Sequence, residues 1–477
     1  MLAATVLGSG LALIDATVVN IALPAIGADL HAGATGLTWT VNAYTLTLAA
    51  LILVGGSLGD RLGRRRVFVA GVTLFGAASL GGAIAPGIVV LVVARAVQGI
   101  GGALLTPGSL AIIQSSFRPD DRARAIGAWS GLGGVAAAVG PLLGGWLIDV
   151  GSWRWVFLIN LPVIALVIAL ALRHVPETRD PEVVRHTDYT GAVLAALALG
   201  AITFGLSTWG ARGGAAAVAE LGVGIAALAG FLARERFAPE PMLPLEIFSS
   251  RPFTVTNVVT LLVYAALGGT FFWLVVTLQV VAGLGPVQAG LSLLPVTVLM
   301  LVFSAQAGAL GVRIGPRPLM AAGPMLGALG VALLARVGTG ANYVTDVLGP
   351  VALLGAGLTL TVSPLTSTAL GSAPQTRAGL ASGVNNAVAR TGGLLLVAAL
   401  PALTGLGAEG FRDPRALAPA FRTAMAVCAG LLFAGGLVAA VFLRRPAPAA
   451  AGRAPAAECP RHHCSVDATP LGSTRGR

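Results

Sequence analysis

Asp15 lies inside an apolar stretch, 2–25, whose other polar members include Thr17 and Asn20. If that stretch crosses a bilayer, an ionised carboxylate near its centre is disfavoured by about 2.5–3.5 kcal/mol on insertion scales. It must then face a cavity or a partner. Two readings follow: a protonatable group on a transport path, or a structural acid tied to a neighbouring hydroxyl or backbone group. Arg95 poses the same question with the opposite sign, several residues inside the apolar run 88–114. Arg95, Gln98, Gly99 and Gly102 recur at helical spacing and share a face. Small residues there let another helix approach the guanidinium, which needs an acid or carbonyls around it unless it snorkels to the interface.

The elements that would hold these residues are announced by a turn. Between two apolar runs stand Gly56, Gly59, Asp60, Arg61, Gly63, Arg64, Arg65 and Arg66. The glycines let two helix ends approach and reverse, and the arginines hold that end in the cytoplasm. Asp60 is either a latch, paired with a helix N-terminus or an arginine in one conformation only, or a solvated charge pair. The pattern returns at Gly308, Leu310, Gly311, Arg313, Gly315 and Arg317, a constant 252 residues later, with Val312 in place of the acid. Two related halves are therefore expected, as in many transporters.

Composition agrees. The chain is 56% hydrophobic and only 10% charged, against about 25% charged in soluble domains. Its net charge of +11 could suggest nucleic acid, but the placement decides otherwise. Of 30 basic residues, all arginine, 22 fall on one set of loops and 6 on the other, with Arg95 and Arg390 inside runs. That is the positive-inside pattern rather than a phosphate groove. Three cysteines make no disulfide framework.

Runs of about 20 apolar residues give an all-α membrane protein of fourteen spans arranged 6 + 2 + 6. The expected order is a first bundle over 1–172, a cytoplasmic linker 173–188, an inserted helix pair 189–235, a second linker 236–252, a second bundle 253–443, and a disordered tail 444–477. The fifth span, 123–150, carries a small-residue face at Gly133, Ala137, Gly140 and Gly144 with Pro141 inside it. It is a bendable seam or simply tight packing. Trp153, Arg154 and Trp155 read as an interfacial aromatic belt. Arg390, preceded by Asn385 and Asn386, is a weaker site candidate; Glu220 and Asp346 fall near span ends. Cys459, His462, His463 and Cys464 have metal-ligating types, but their Pro/Ala-rich tail argues against a metal site. No Gly-Lys-Ser/Thr follows a glycine cluster, and no zinc pair or nucleophile elbow occurs. The chain is therefore expected to be no enzyme, to need no cofactor and to carry no ATP site of its own.

Together these residues resemble the major facilitator superfamily, in particular its fourteen-span drug:proton antiporter branch. Ile14 to Pro24 resembles that branch's first-span signature, and Gly56 to Arg66 the superfamily's loop motif. Arg95 to Gly102 is similar to its fourth-span arginine motif. Gly127, Gly140, Pro141, Gly144 and Gly145 are similar to the antiporter motif of span five, with Ala136 where a glycine is usual. Trp153 to Pro162 is similar to the entry to span six. The resemblance implies a two-bundle fold around a central cavity, exporting small amphipathic compounds against inward proton flow. Asp15, with Asn20, Arg95 and Gln98, would bind proton or substrate; Gly56, Asp60, Arg61, Gly63 and Arg65 would gate. The protein would be a monomer in the cell membrane with both termini cytoplasmic, its partners being substrate, protons and lipid, not nucleic acid. A proton-coupled carrier for an endogenous metabolite, lipid or amino acid stays open beside this, and a non-transporting sensor stands further off.

Overall fold

The computed structural model describes residues 1–116, 129, 136, 139–178, 188–212, 214–238, 241–372, 378–407 and 410–443. Among them thirteen helices are long and apolar enough to cross a membrane. The first four are α1 (Leu2–Asp29), α2 (Ala34–Leu62), α3 (Arg64–Ala83) and α4 (Ile88–Ser116). The expected fifth span lies largely outside the described residues; its last part is α5 (Val139–Val150), which with Gly140 to Gly145 is described, whereas Gly127, Gly133 and Ala137 are not. The sixth is broken into α6 (Trp155–Leu158) and α7 (Asn160–His174), followed by the pair α8 (Tyr189–Arg212) and α9 (Gly214–Phe237). After a 3-10 turn at Leu245–Ser249 come α10 (Arg251–Val280), α11 (Pro286–Leu291), α12 (Leu294–Ile314) and α13 (Pro316–Leu334). A π-helical turn at Tyr343–Leu348 leads into α14 (Gly349–Gly371), then α15 (Ala378–Thr404) and α16 (Pro414–Phe442).

Local chemistry accounts for where several boundaries depart from expectation. The apolar run after Leu284 breaks at Ser292 and Leu293, because Pro295 suits only the first turn of a new helix. The last helix starts seven residues before the expected 421: Asp413 accepts the Arg415 N–H at 2.9 Å and Pro414 follows. The two related turns share a backbone solution. Gly63 (φ 113°, ψ 128°) and Gly315 (φ 85°, ψ 156°) both stand between consecutive helices, a conformation that a side chain would strain.

Helices α1–α4 and α7 pack chiefly among themselves, as do α10 and α12–α16. The two sets meet where α1 touches α10 and α11, and where α2 touches α15. The α8–α9 pair does not stand clear of them, since α8 packs on both α2 and α15. The aromatic belt needs correction. Trp155 is exposed as expected, but Trp153 is buried, edge-on to Phe157, with its Nε1 donating to Asp29 at 2.9 Å. Its neighbour Arg154 lies over the Trp153 ring and pairs with the same carboxylate at 2.5 Å. The motif ties the α5–α6 connection to the end of α1.

Candidate functional site

Five helices deliver side chains to one point. Asp15 stands midway along α1 and Arg95 in the third turn of α4, each only 1% exposed. Arg95 Nη1 donates to Asp15 Oδ2 at 2.5 Å and to Gln98 Oε1 at 2.6 Å, while its Nε donates to the Thr40 carbonyl of α2 at 3.0 Å. The guanidinium carbon lies 4.4 Å from the centre of the Tyr44 ring. Gln98 Nε2 donates to Asp15 Oδ1 at 2.8 Å and to Ser79 Oγ of α3 at 2.9 Å. Asn160, the first residue of α7, donates Nδ2 to Asp15 Oδ1 at 3.2 Å and to Ser79 Oγ at 3.0 Å.

Each charge thus has its opposite and a shell of neutral dipoles, which is the condition for burying an ion pair. The approach depends on Gly99: a β-carbon there would run into the Tyr44 carbonyl and the Thr47 hydroxyl. Of the residues expected at this site, Asp15, Arg95 and Gln98 come together. Asn20 does not join them; its Nδ2 bonds the Ala16 carbonyl of its own helix and its Oδ1 is buried without a partner among the described residues. Ser79, Tyr44 and Asn160 were missed. Asn160 opens a helix one turn past an aromatic cluster, a place where an amide could have been suspected of serving the interior.

The expected gating residues form a second centre at the arginine-rich end. Asp60 pairs with Arg64 (Nη2 2.7 Å, Nε 2.8 Å), which the expected gating set of Asp60, Arg61 and Arg65 had left out: the reversal at Gly63 brings the first residue of α3 back onto the end of α2. Arg64 also reaches the Ala111 carbonyl of α4 at 3.4 Å. Arg65 turns to the segment after α7, donating its backbone N–H to Glu177 Oε1 at 3.2 Å and Nη1 to the Val175 carbonyl at 3.2 Å. Glu177 lies within 3.7 Å of the Arg65 and Arg66 guanidines and sits against Gly63, where a β-carbon would overlap it. It supplies the anion that the start of α3 lacks. An acid just beyond the sixth span, in a segment read only as linker, was the available signal.

The third centre is the small-residue seam. A β-carbon on Gly145 would stand 2.6 Å from Val287 Cα, and one on Gly290 would stand 2.5 Å from the Pro141 carbonyl oxygen. Gly144 lies against Val18 of α1, and Gly140 against Thr17. The face at 140–145 therefore joins α5 to α1 on one side and to α11 of the other set on the other. Near the same end Gln279 Nε2 donates to the Ile21 carbonyl at 3.0 Å, and Arg412 donates to the Gly27 carbonyl. All these contacts between the sets lie away from the arginine turns.

A family profile described as Major Facilitator Superfamily matches residues 5–397. The chain belongs to the major facilitator superfamily. Among relatives of this superfamily member, the cephamycin export protein CmcT of Amycolatopsis lactamdurans is 37% identical over 84% of this chain and 84% of its own. The tetracenomycin C resistance and export protein of Streptomyces glaucescens is 34% identical, covering 84% and 75%. The multidrug efflux pump LfrA of Mycolicibacterium smegmatis is 35% identical, covering 81% and 77%. Solved structures share the fold at low identity. A peptide transporter in complex with sulfate superposes with a TM-score of 0.67 at 15% identity, over 92% of both chains. A D-xylose–proton symporter gives 0.64 at 15%, over 93% and 97%. The protein is thus a multi-pass membrane transporter of the major-facilitator fold rather than an enzyme.

Proposed function

We propose that this protein exports small organic compounds across the cell membrane in exchange for protons, by alternating access between its two helix sets. Its relatives include proteins named for export of cephamycin and tetracenomycin C and for multidrug efflux, which supports the direction and breadth of transport. The single observation that carries the coupling reading is the buried Asp15–Arg95 pair, an acid bonded to one cation and two amides.

In this reading Asp15 exchanges its guanidinium partner for a proton when the sets rock. Gln98 and Asn160 hold the carboxyl in place through that exchange, because amides can serve either form as partners. No nucleotide or metal takes part; the gradient supplies the work. The contacts Gly145 to Val287, Gly290 to Pro141 and Gln279 to Ile21 close the outer end in this state and part in the other. The turn at 56–66 serves as the inner gate. Asp60 is bonded within its own turn here, so its gating role consists of a partner exchange in the outward state. The arginine-rich loops and both termini lie in the cytoplasm, and a single chain is the transporting unit. The deciding experiment is growth of cells with and without the gene against a panel of antibiotics and dyes, followed by reconstitution with any compound that discriminates. No change in tolerance together with no movement of any compound in liposomes sinks the reading.

A further inference from the structure

Arg390 is, with Arg95, one of two arginines deep inside a span. It stands midway along α15, half-buried, and forms no hydrogen bond or ion pair with any described residue. Helices α1, α2, α15 and α10 touch in turn around a closed ring, each with the next and α10 with α1. Gly383, two turns before Arg390 on the same face of α15, lies against Leu53 of α2, which turns Arg390 toward the seam of the two sets.

Among the described residues no acid of the two helix sets pairs with it. Asp15 is held by Arg95 at 2.5 Å. Asp29, Asp60, Asp149 and Asp346 lie near helix ends, and the sequence from 122 to 148 contains no acid at all. Glu220, in the α8–α9 pair, accepts the Thr208 hydroxyl at 2.8 Å. Among the described residues the seam therefore keeps one uncompensated positive charge, in a region where a bare guanidinium is disfavoured. Polar groups flank it: Asn385 Nδ2 donates to Thr260 Oγ1 at 2.8 Å and to Asn257 Oδ1 at 3.2 Å, and Asn386, one turn before Arg390, is exposed.

We propose that Arg390 is the anchor for an acidic group, a carboxylate or sulfonate, on the exported compound, so that the carrier prefers organic anions to organic cations. A planar fork of donors suits such a group, and a cation would meet an unscreened like charge. The proposal rests on the exporter reading, and the test separates the two. Purified full-length protein is titrated by fluorescence anisotropy with three anionic dyes, carboxyfluorescein, eosin and pyranine, and with ethidium as cation. At least one anion should bind. R390Q should weaken that binding by at least about tenfold while ethidium binds no more weakly than to wild type, and R390K should recover most of the anion binding. N386D, which keeps Arg390 but places a carboxylate one turn away, should weaken the anion as well. Binding of none of the three anions overturns the proposal, as does equal affinity in wild type, R390Q and N386D. Unchanged dye affinity with loss of co-purified phosphatidylglycerol in R390Q would make Arg390 a lipid-headgroup site and overturn it too. Ethidium efflux that survives any of these outcomes leaves the exporter reading standing.

Discussion

Neutralising Asp15 and Arg95 one at a time should harm the fold far more than neutralising both. Both side chains are 1% exposed, and their 2.5 Å contact is the only ion pair either makes among the described residues. Asp15→Asn leaves a guanidinium with the Thr40 carbonyl, Gln98 Oε1 and the face of Tyr44, but no anion. Arg95→Gln leaves a carboxylate with only the amides of Gln98, Asn160 and the new side chain. Removing one partner of a buried pair costs roughly 3–5 kcal/mol. For a cooperative unit of about 150–250 residues, each kcal/mol moves the midpoint by about 2–4 °C. Each single variant should therefore melt roughly 6–20 °C below wild type in a thermal scan of the detergent-purified protein. The double variant leaves neutral amides able to bond one another, a loss nearer about 1 kcal/mol, and should melt within about 4 °C of wild type. A double variant whose fall equals the sum of the singles would refute the pairing as the source of stability.

Other perturbations probe the remaining centres. Asp60→Asn removes a partly exposed pair worth only about 0.2–1 kcal/mol, so stability should hold while turnover slows more than substrate affinity falls; transport equal to wild type at matched expression would reduce Asp60 to a surface charge. Gly145→Val sets a branched side chain where even a β-carbon would stand 2.6 Å from the Val287 Cα, so it should hold the α5–α11 seam apart and slow transport at matched expression. Full activity of that variant would mean that close approach at this contact is not needed for transport. For topology, Thr339→Cys should react with an impermeant maleimide in intact cells, whereas Val312→Cys, on the arginine turn and 88% exposed, should react only after permeabilisation; the reverse pattern would invert the orientation.

The helical membrane architecture and the family were legible because lipid leaves few alternatives: long apolar runs must be helices, and a buried charge must be matched. Asp15 and Arg95 could be picked out for that reason, and the constant spacing of the glycine–arginine turns foretold the shared backbone of Gly63 and Gly315. The companions were harder. Ser79 and Asn160 are neutral and common, and nothing local marks them as facing the acid rather than capping their own helices. Asp60 illustrates the opposite failure: several arginines lay within reach, and only the three-dimensional face distinguishes Arg64 from Arg61 and Arg65. Trp153 looked interfacial because tryptophan favours that zone, yet its indole N–H had a carboxylate to bond and went inward. Burial of Asp15 alone would suggest that an Asn is harmless there; the guanidinium it would strand reverses that expectation.

The most direct test of the central claim is uptake into inside-out proteoliposomes under an imposed proton gradient, using the compound that best discriminates cells with and without the gene. Wild type should concentrate that compound inside when the lumen is acidic and lose the effect when a protonophore collapses the gradient. Asp15→Asn, if recovered folded, should still exchange labelled for unlabelled compound across the membrane but should concentrate none. An Asp15→Asn protein that concentrates the compound as wild type does, with the same dependence on pH, would contradict the assignment of Asp15 as the coupling acid.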